Sequence, residues 1–278
     1  MAIITGGASG IGRALGEALA SRGATVVLAD RDSALAEQAA AAVVARGGAA
    51  EALHLDVTVP EDVRALIALA ASRHGRLDYL FNSAGVAIGG EAVQLDDHAW
   101  SRVLEVDLLG VVHCVRAGYP IMVAQGFGHI VNIASVAGLV PVPFQAPYVA
   151  AKFGVVGLSL ALRSEARDLG VRVSVVCPGL IETPILETTP ILGADRGRVL
   201  RLLPKAMAAS ACAERILCGV EKNQGIIVVT SLARAMWLGF RVSPALVDHG
   251  ALLAMRRLRA ACSGGDRARS RRLEDRRP

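Results

Sequence analysis

The sequence predicts a doubly wound α/β domain, a parallel sheet between two layers of helices, carrying a helical extension at its C-terminal end. Three observations predict it. Short β-rich apolar runs alternate with Ala/Leu-rich stretches along most of the 278 residues. The runs are continuous rather than alternating, as strands covered on both faces require. A glycine-rich turn follows the first run and opens a helix.

The first strand is expected at Ala2–Ile4, and the turn behind it reads Thr5-Gly6-Gly7-Ala8-Ser9-Gly10-Ile11-Gly12. Glycines there let the backbone turn tightly and approach a pyrophosphate, whose charge meets N–H groups at a helix N-terminus. A second strand, Thr25–Ala29, delivers Asp30. A carboxylate at that point accepts hydrogen bonds from ribose hydroxyls and repels a 2′-phosphate, which favours NAD. Arg31 could accommodate that phosphate and leaves NADP open.

A third strand is expected at Ala52–Leu55, followed by Thr58 as N-cap with Glu61 completing a capping box ahead of a helix over Val63–Arg73. Gly23 and Gly75 punctuate helix ends. Strands at Tyr79–Phe81, His129–Ala134, Val171–Val176 and Ile226–Val229 bring the total to seven. Repeated βα units imply right-handed crossovers, and hence a three-layer, Rossmann-like domain over residues 1–230. Pro184–Ala209 reads as a helical insertion on the substrate side. Residues 231–262 read as a two-helix extension split near Ser243-Pro244, and 263–278 as a basic, disordered tail.

Composition excludes several function classes. The net charge is +5, but nine arginines against three acids from Arg256 onward leave the rest of the chain one negative. A basic end on a near-neutral body with few aromatics argues against nucleic-acid binding. Five cysteines without a CxxC pair read as reduced core residues, and six histidines without ligand spacing predict no metal. No charged residue lies between Arg116 and Lys152, yet prolines and glycines break that run, so a buried strand and a pocket loop are expected rather than a membrane span. With no leader-like N-terminal segment, the expected location is cytoplasmic.

Tyr148 and Lys152 stand four residues apart, on one face of a helix. Three tyrosines and three lysines in the chain make this spacing rare by chance. Hydride transfer to a carbonyl leaves an oxyanion that needs a proton, and the reverse reaction needs a base. A tyrosine titrates at about 10 unperturbed, and an adjacent ammonium and the positive nicotinamide are both expected to lower that value. Ser135, at the end of the fifth strand, can donate to the substrate oxygen.

On these residues the chain resembles the short-chain dehydrogenase/reductase superfamily, in its single-domain subgroup, up to about Thr230. Thr5–Gly12 is similar to the family's phosphate-binding fingerprint, and the resemblance extends cofactor contact to Gly6, Ser9, Gly10, Ile11 and Gly12. It implies that Asp56-Val57 receives the adenine ring. It also implies that Asn82-Ser83-Ala84-Gly85 stands for the family's Asn-Asn-Ala-Gly, with Asn82, Ala84 and Gly85 as contacts. Pro178, Gly179, Ile181 and Thr183 resemble the segment that holds the nicotinamide carboxamide. The Ser135-to-Tyr148 interval matches the family's. Asp107 departs from it, because the family places an asparagine there, in support of the lysine.

Leu139-Val140-Pro141-Val142-Pro143-Phe144 lies between Ser135 and Tyr148, so Val142 and Phe144 are expected to face a small hydrophobic substrate: steroid, retinoid, lipid-like or aliphatic. The resemblance implies a homodimer or homotetramer. The C-terminal helices read as packed on the domain or as a peripheral membrane contact. The expected activity is interconversion of an alcohol and a ketone or aldehyde with a nicotinamide dinucleotide. The rival reading is a dinucleotide-binding sensor or scaffold without chemistry.

Overall fold

The computed structural model describes residues 1–274, with side-chain environments through residue 259. From the N-terminal end, β1 (Ala2–Thr5) leads through the glycine-rich turn into α1 (Gly10–Ala20), β2 (Thr25–Asp30), α2 (Ser33–Val44), β3 (Ala49–His54), α3 (Pro60–His74) and β4 (Tyr79–Asn82). Next come α4 (Asp97–Leu104), α5 (Gly110–Gln125), β5 (Gly128–Ile133), α6 (Ala146–Ala166) and β6 (Val171–Cys177). β7 (Ile181–Glu182) leads into the insertion, which holds α7 (Pro184–Thr188), α8 (Arg196–Arg201) and β8 (Met207–Ala208). The chain then runs through α9 (Ala209–Glu221), β9 (Ile226–Val228), α10 (Ser231–Val242) and α11 (Pro244–Glu274).

Seven of these strands form one parallel sheet in the order β3-β2-β1-β4-β5-β6-β9. The chain winds outward from β1 to β3 and then returns to β4 on β1's other side. That reversal opens a crevice at the carboxyl ends of β1 and β4, where open α/β sheets bind ligands. Alternate strand residues feed two cores. Ile3, Val27, Leu80 and Ile130 pack with α3, α5 and α6, while Ile4, Val26, Leu28 and Val131 pack with α1, α2 and α9. Burying a side chain of this size stabilises by about 1.5–3 kcal/mol.

Two local expectations are corrected. Thr58 does not cap α3: the helix starts at Pro60, with Val59 in the cap position. Thr58 instead directs its N–H and hydroxyl to the Asp56 carboxylate, at 2.9 and 2.7 Å. Proline at the first helical position has no N–H to satisfy, which weakens the need for a side-chain cap. The insertion is less helical than its apolar spacing suggests, since its helices are short and β7 pairs with β8.

The split of the extension falls at Ser243-Pro244, between α10 and α11. Where the sequence suggests disorder over 263–278, the backbone is helical as far as Glu274, and residues 275–278 lie outside the described ones. Cys114, Cys177 and Cys212 are buried thiols and Cys218 is exposed; Cys262 lies outside the described side chains. Asp97–Gln125 is long and apolar enough to cross a membrane by composition. Here it is the α4–α5 run packed against α3 and α6, with a π-turn at Glu105–Leu109.

His129 links the sheet to acid sensitivity. It is buried in β5, and its Nε2 lies 2.9 Å from the Ser174 hydroxyl, which itself donates to Gln224 O at 2.6 Å. Nε2 therefore carries the proton and donates. Burial, aided by Arg172 and Arg163, pushes its pKa down to about 4. Above the unfolded value near about 6.5 the ring is neutral in both states, and stability is complete. As pH falls from there toward the folded value, the unfolded state takes up the proton first and about 3 kcal/mol is lost. Urea midpoints measured from pH 7 to pH 4 should fall steeply for the native chain and more shallowly for His129→Gln; parallel curves would contradict this origin.

Candidate active site

The glycine-rich turn is shaped by what passes close to it. Gly6 has φ +65°, and a Cβ there would stand 2.8 Å from the Ala84 backbone. A Cβ on Gly12 would stand 2.2 Å from Gly6 O, so only glycine lets α1 start this close to the turn. Thr5 Oγ1 accepts from the N–H groups of Ser83 and Ala84 at 3.1 and 3.2 Å, tying β1's end to the segment after β4. Ser9 occupies the N-cap of α1 without a side-chain cap bond, which leaves the first-turn N–H groups available to an anion. Asp30 accepts from Ala8 N at 3.1 Å and from Asp32 N at 3.1 Å, so the same carboxylate braces the turn and borders the crevice.

One cavity of about 910 Å³ runs along the carboxyl edge of the sheet. Gly6, Ser9, Gly10, Ile11, Asp30, Arg31, Asp56, Val57, Ala84 and Gly85 border one end of it. Pro178, Gly179, Ile181 and Thr183 lie along it, and Thr183 packs its methyl over Gly10. Ser135, Val142, Phe144, Tyr148, Lys152 and Asp107 also line it. Two sequence-named positions sit behind the wall instead. Gly12 packs on Gly6, while Asn82 is buried and donates to Asn132 Oδ1 at 2.7 Å, continuing to Ser159 at 2.9 Å. These two support the site from beneath.

Tyr148 and Lys152 rise from the first two turns of α6, and the Lys152 ammonium lies 5.4 Å from the centre of the Tyr148 ring. Lys152 donates to Ile133 O at 3.2 Å and is ion-paired with Asp107 Oδ2 at 3.0 Å. Asp107 is delivered by the π-turn, whose wider coil aims the carboxylate inward, where Oδ1 accepts from Val86 N at 2.8 Å. Asp107 is fully buried, and burial pushes its pKa up even against Lys152. Burial pulls the Lys152 pKa down, but Asp107, with Tyr148 and Cys177, holds it above its ordinary range. Ser135 caps a short 3₁₀ turn by accepting from Ala137 N at 3.1 Å.

Burial outweighs the pull of Lys152, which lowers the phenol's pKa as expected. Burial pushes the Tyr148 pKa up, Lys152 and a hydrogen bond from Ser135 pull it down, and Asp107 pushes it up again. Burial is the larger cause of the upward shift, and the partner carboxylate offsets the ammonium only in part. Cys177, read from the sequence only as a core thiol, stands within electrostatic reach of both Tyr148 and Lys152, and burial pushes it up to about 12.

The sequence reading also missed the far wall of the cavity. Met236 of α10 and Val247, Ala251, Ala254, Met255 and Leu258 of α11 border it. Their period along α11 marks one helix face, a signal visible in the sequence without any hint of what the face meets. Phe144 takes a left-handed backbone, φ +72°, with its carbonyl accepting from Gly90 N at 2.9 Å and its ring beside Gly89. A bulky residue held in that region is strained and persists because its surroundings fix it.

A nucleotide-cradling parallel sheet with a Ser/Tyr/Lys cluster at its carboxyl edge defines a class of oxidoreductase. Residues 1–190 match the short chain dehydrogenase family, and the chain belongs to it. It is 39% identical over 189 residues to the cyclohexanol dehydrogenase of Acinetobacter sp. (strain SE19), covering 67% of this chain and 74% of that one. It is 37% identical over 188 residues to the D-beta-hydroxybutyrate dehydrogenase of Rhizobium meliloti (strain 1021), covering 67% and 73%. A short chain dehydrogenase/reductase from Burkholderia phymatum, solved in complex with NAD, superposes with TM-score 0.81 at 31% identity over 88% of this chain and 94% of that one. A short-chain dehydrogenase from Sphingobium yanoikuyae in complex with NADPH gives 0.76 at 29%, over 89% and 94%.

Proposed function

We propose that this chain interconverts a hydrophobic secondary alcohol and its ketone, with Tyr148 exchanging the proton at the substrate oxygen. The observation that carries the reading is the gathering of Ser135, Tyr148 and Lys152 in the same cavity as the glycine-rich turn. A nicotinamide dinucleotide held by the Gly6–Gly12 turn and the Ile181–Thr183 segment would supply or accept the hydride. Ser135 then donates to the substrate oxygen and holds it against the phenol. Tyr148 gives its proton to the developing alkoxide in reduction and removes it in oxidation. Lys152 stabilises the tyrosinate, Asp107 keeps that ammonium charged, and Ile133 O fixes its position.

The turn at Gly6–Gly12 and the uncapped start of α1 suit a pyrophosphate. Ile181 and Thr183 are in reach of a carboxamide, and Val142 and Phe144 of the apolar substrate. Asp30 at the ribose end favours NAD over NADP. Asp30→Ser should raise the NADP-to-NAD ratio of kcat/KM by roughly tenfold for each 1.4 kcal/mol of repulsion removed; an unchanged ratio takes Asp30 out of coenzyme selection. The reading as a whole is tested by turnover of apolar alcohols and ketones with NAD(H) and NADP(H) in parallel. Pairing through α5 and α6, with Leu109 of the π-turn and Phe153 and Leu160 of α6 exposed, would make a homodimer or homotetramer.

A further inference from the structure

The cavity extends well past the phenol, and its far side is built by residues beyond the 1–190 span that matches the family. α10 and α11 fold as a helical pair over the insertion, with α11 packed on α8. On α11 the residues that border the cavity are Val247, Ala251, Ala254, Met255 and Leu258, a stripe on one helix face. Small side chains at its centre leave room, and methionine adapts its shape to what fills that room.

The charges bordering this cavity lie elsewhere or are engaged. Asp30, Arg31, Asp56 and Arg102 sit at the glycine-rich end, Asp107 and Lys152 hold each other, and Arg196 of α8 donates to Leu186 O at 2.6 Å. The residues of α11 that border the cavity are all uncharged, so along that face hydrocarbon finds a continuous surface. The far end of α11 is fastened: Arg259 donates to Glu91 through Nε at 2.9 Å and through a second, shorter bond from Nη2. That fork joins the roof to the segment that follows β4.

We propose that α11 is the specificity-determining wall of the substrate chamber, and that it selects alcohols or ketones bearing an extended, uncharged hydrocarbon arm. This rests on the alcohol/ketone reading above. The arm lies along the Val247–Leu258 stripe while the reacting carbon stays at Tyr148. Each methylene that becomes buried there raises kcat/KM about fourfold. The bulk at positions 251 and 254 sets where that rise stops.

The test is a chain-length series, 2-butanol through 2-decanol with NAD, alongside 3-hydroxybutyrate. For the native protein, kcat/KM is expected to climb with length, and 3-hydroxybutyrate is expected to fall below 2-butanol. Ala254→Phe should cut the 2-decanol to 2-butanol ratio by at least about tenfold, the loss of two buried methylenes or more. Met255→Ala, which removes bulk, should move the plateau to longer alcohols and guards against a filled variant that does not fold. A flat series in the native protein, or the same slope in all three proteins, overturns the proposal while leaving the reaction assignment standing. Absence of turnover on every alcohol and ketone overturns both.

Discussion

Tyr148→Phe is expected to lower kcat by roughly 10²–10⁴-fold while NADH still binds, the range that general acid–base catalysis contributes. In this reading the phenol is the group that transfers the proton at the substrate oxygen, since Ser135 only holds that oxygen by a hydrogen bond and Lys152 is turned to Asp107 and Ile133. Removing one oxygen leaves the ring, its packing and the glycine-rich turn in place. Steady-state turnover with the best alcohol, together with fluorescence titration of NADH, checks both halves. Full activity without the oxygen would end the catalytic assignment. Equal inactivity of the native and variant proteins, with intact NADH binding, would instead support the sensor reading.

The second large effect concerns Asp107. Alcohol oxidation needs the phenol ionised, so its rate rises with pH through the apparent pKa of Tyr148. Asp107 is one of the groups that push that pKa up, and Lys152 and Ser135 are those that push it down. Asp107→Asn keeps an oxygen for Val86 N–H but deletes the charge, leaving the ammonium unopposed. The acid limb of the oxidation profile is then expected to move to lower pH by about one unit. The groups facing this carboxylate are Lys152 from α6 and Arg102 from α4, and both stay in the variant. A pH series of kcat, rather than a single rate, is the measurement. A fall in kcat with an unmoved limb would assign Asp107 a purely structural part.

What was legible in the sequence was what is local. The glycine-rich turn, the strand runs and the i,i+4 pair of Tyr148 and Lys152 each depend on spacing within a dozen residues. Asp30 is marked by where its apolar run stops, and Ser135 by its strand end together with the interval to Tyr148 that resembles the family's. The misses have long-range causes. Nothing near Cys177 in sequence says that its neighbours are Tyr148 and Lys152, and nothing near Met255 says that it faces their cavity. Thr58 misled because two partners competed for its hydroxyl, and the acid two residues before it won. The phenol's titration is set by burial, which the sequence does not display, as much as by the ammonium and the carboxylate, which it does.

The π-turn at Glu105–Leu109 makes the proton chemistry depend on residue count as much as on residue type. One residue fewer between Leu104 and Gly110 would let the two flanking helices merge into one regular α-helix. The helices on either side would keep their register, because the turn already absorbs the extra residue, and the side chains re-aimed by roughly 100° would be those inside the turn. The carboxylate at 107 would leave its lysine, and the lysine would be stranded in hydrocarbon beside the phenol. A single extra link in the backbone, rather than any contact a sequence comparison would score, therefore keeps the two charges facing each other.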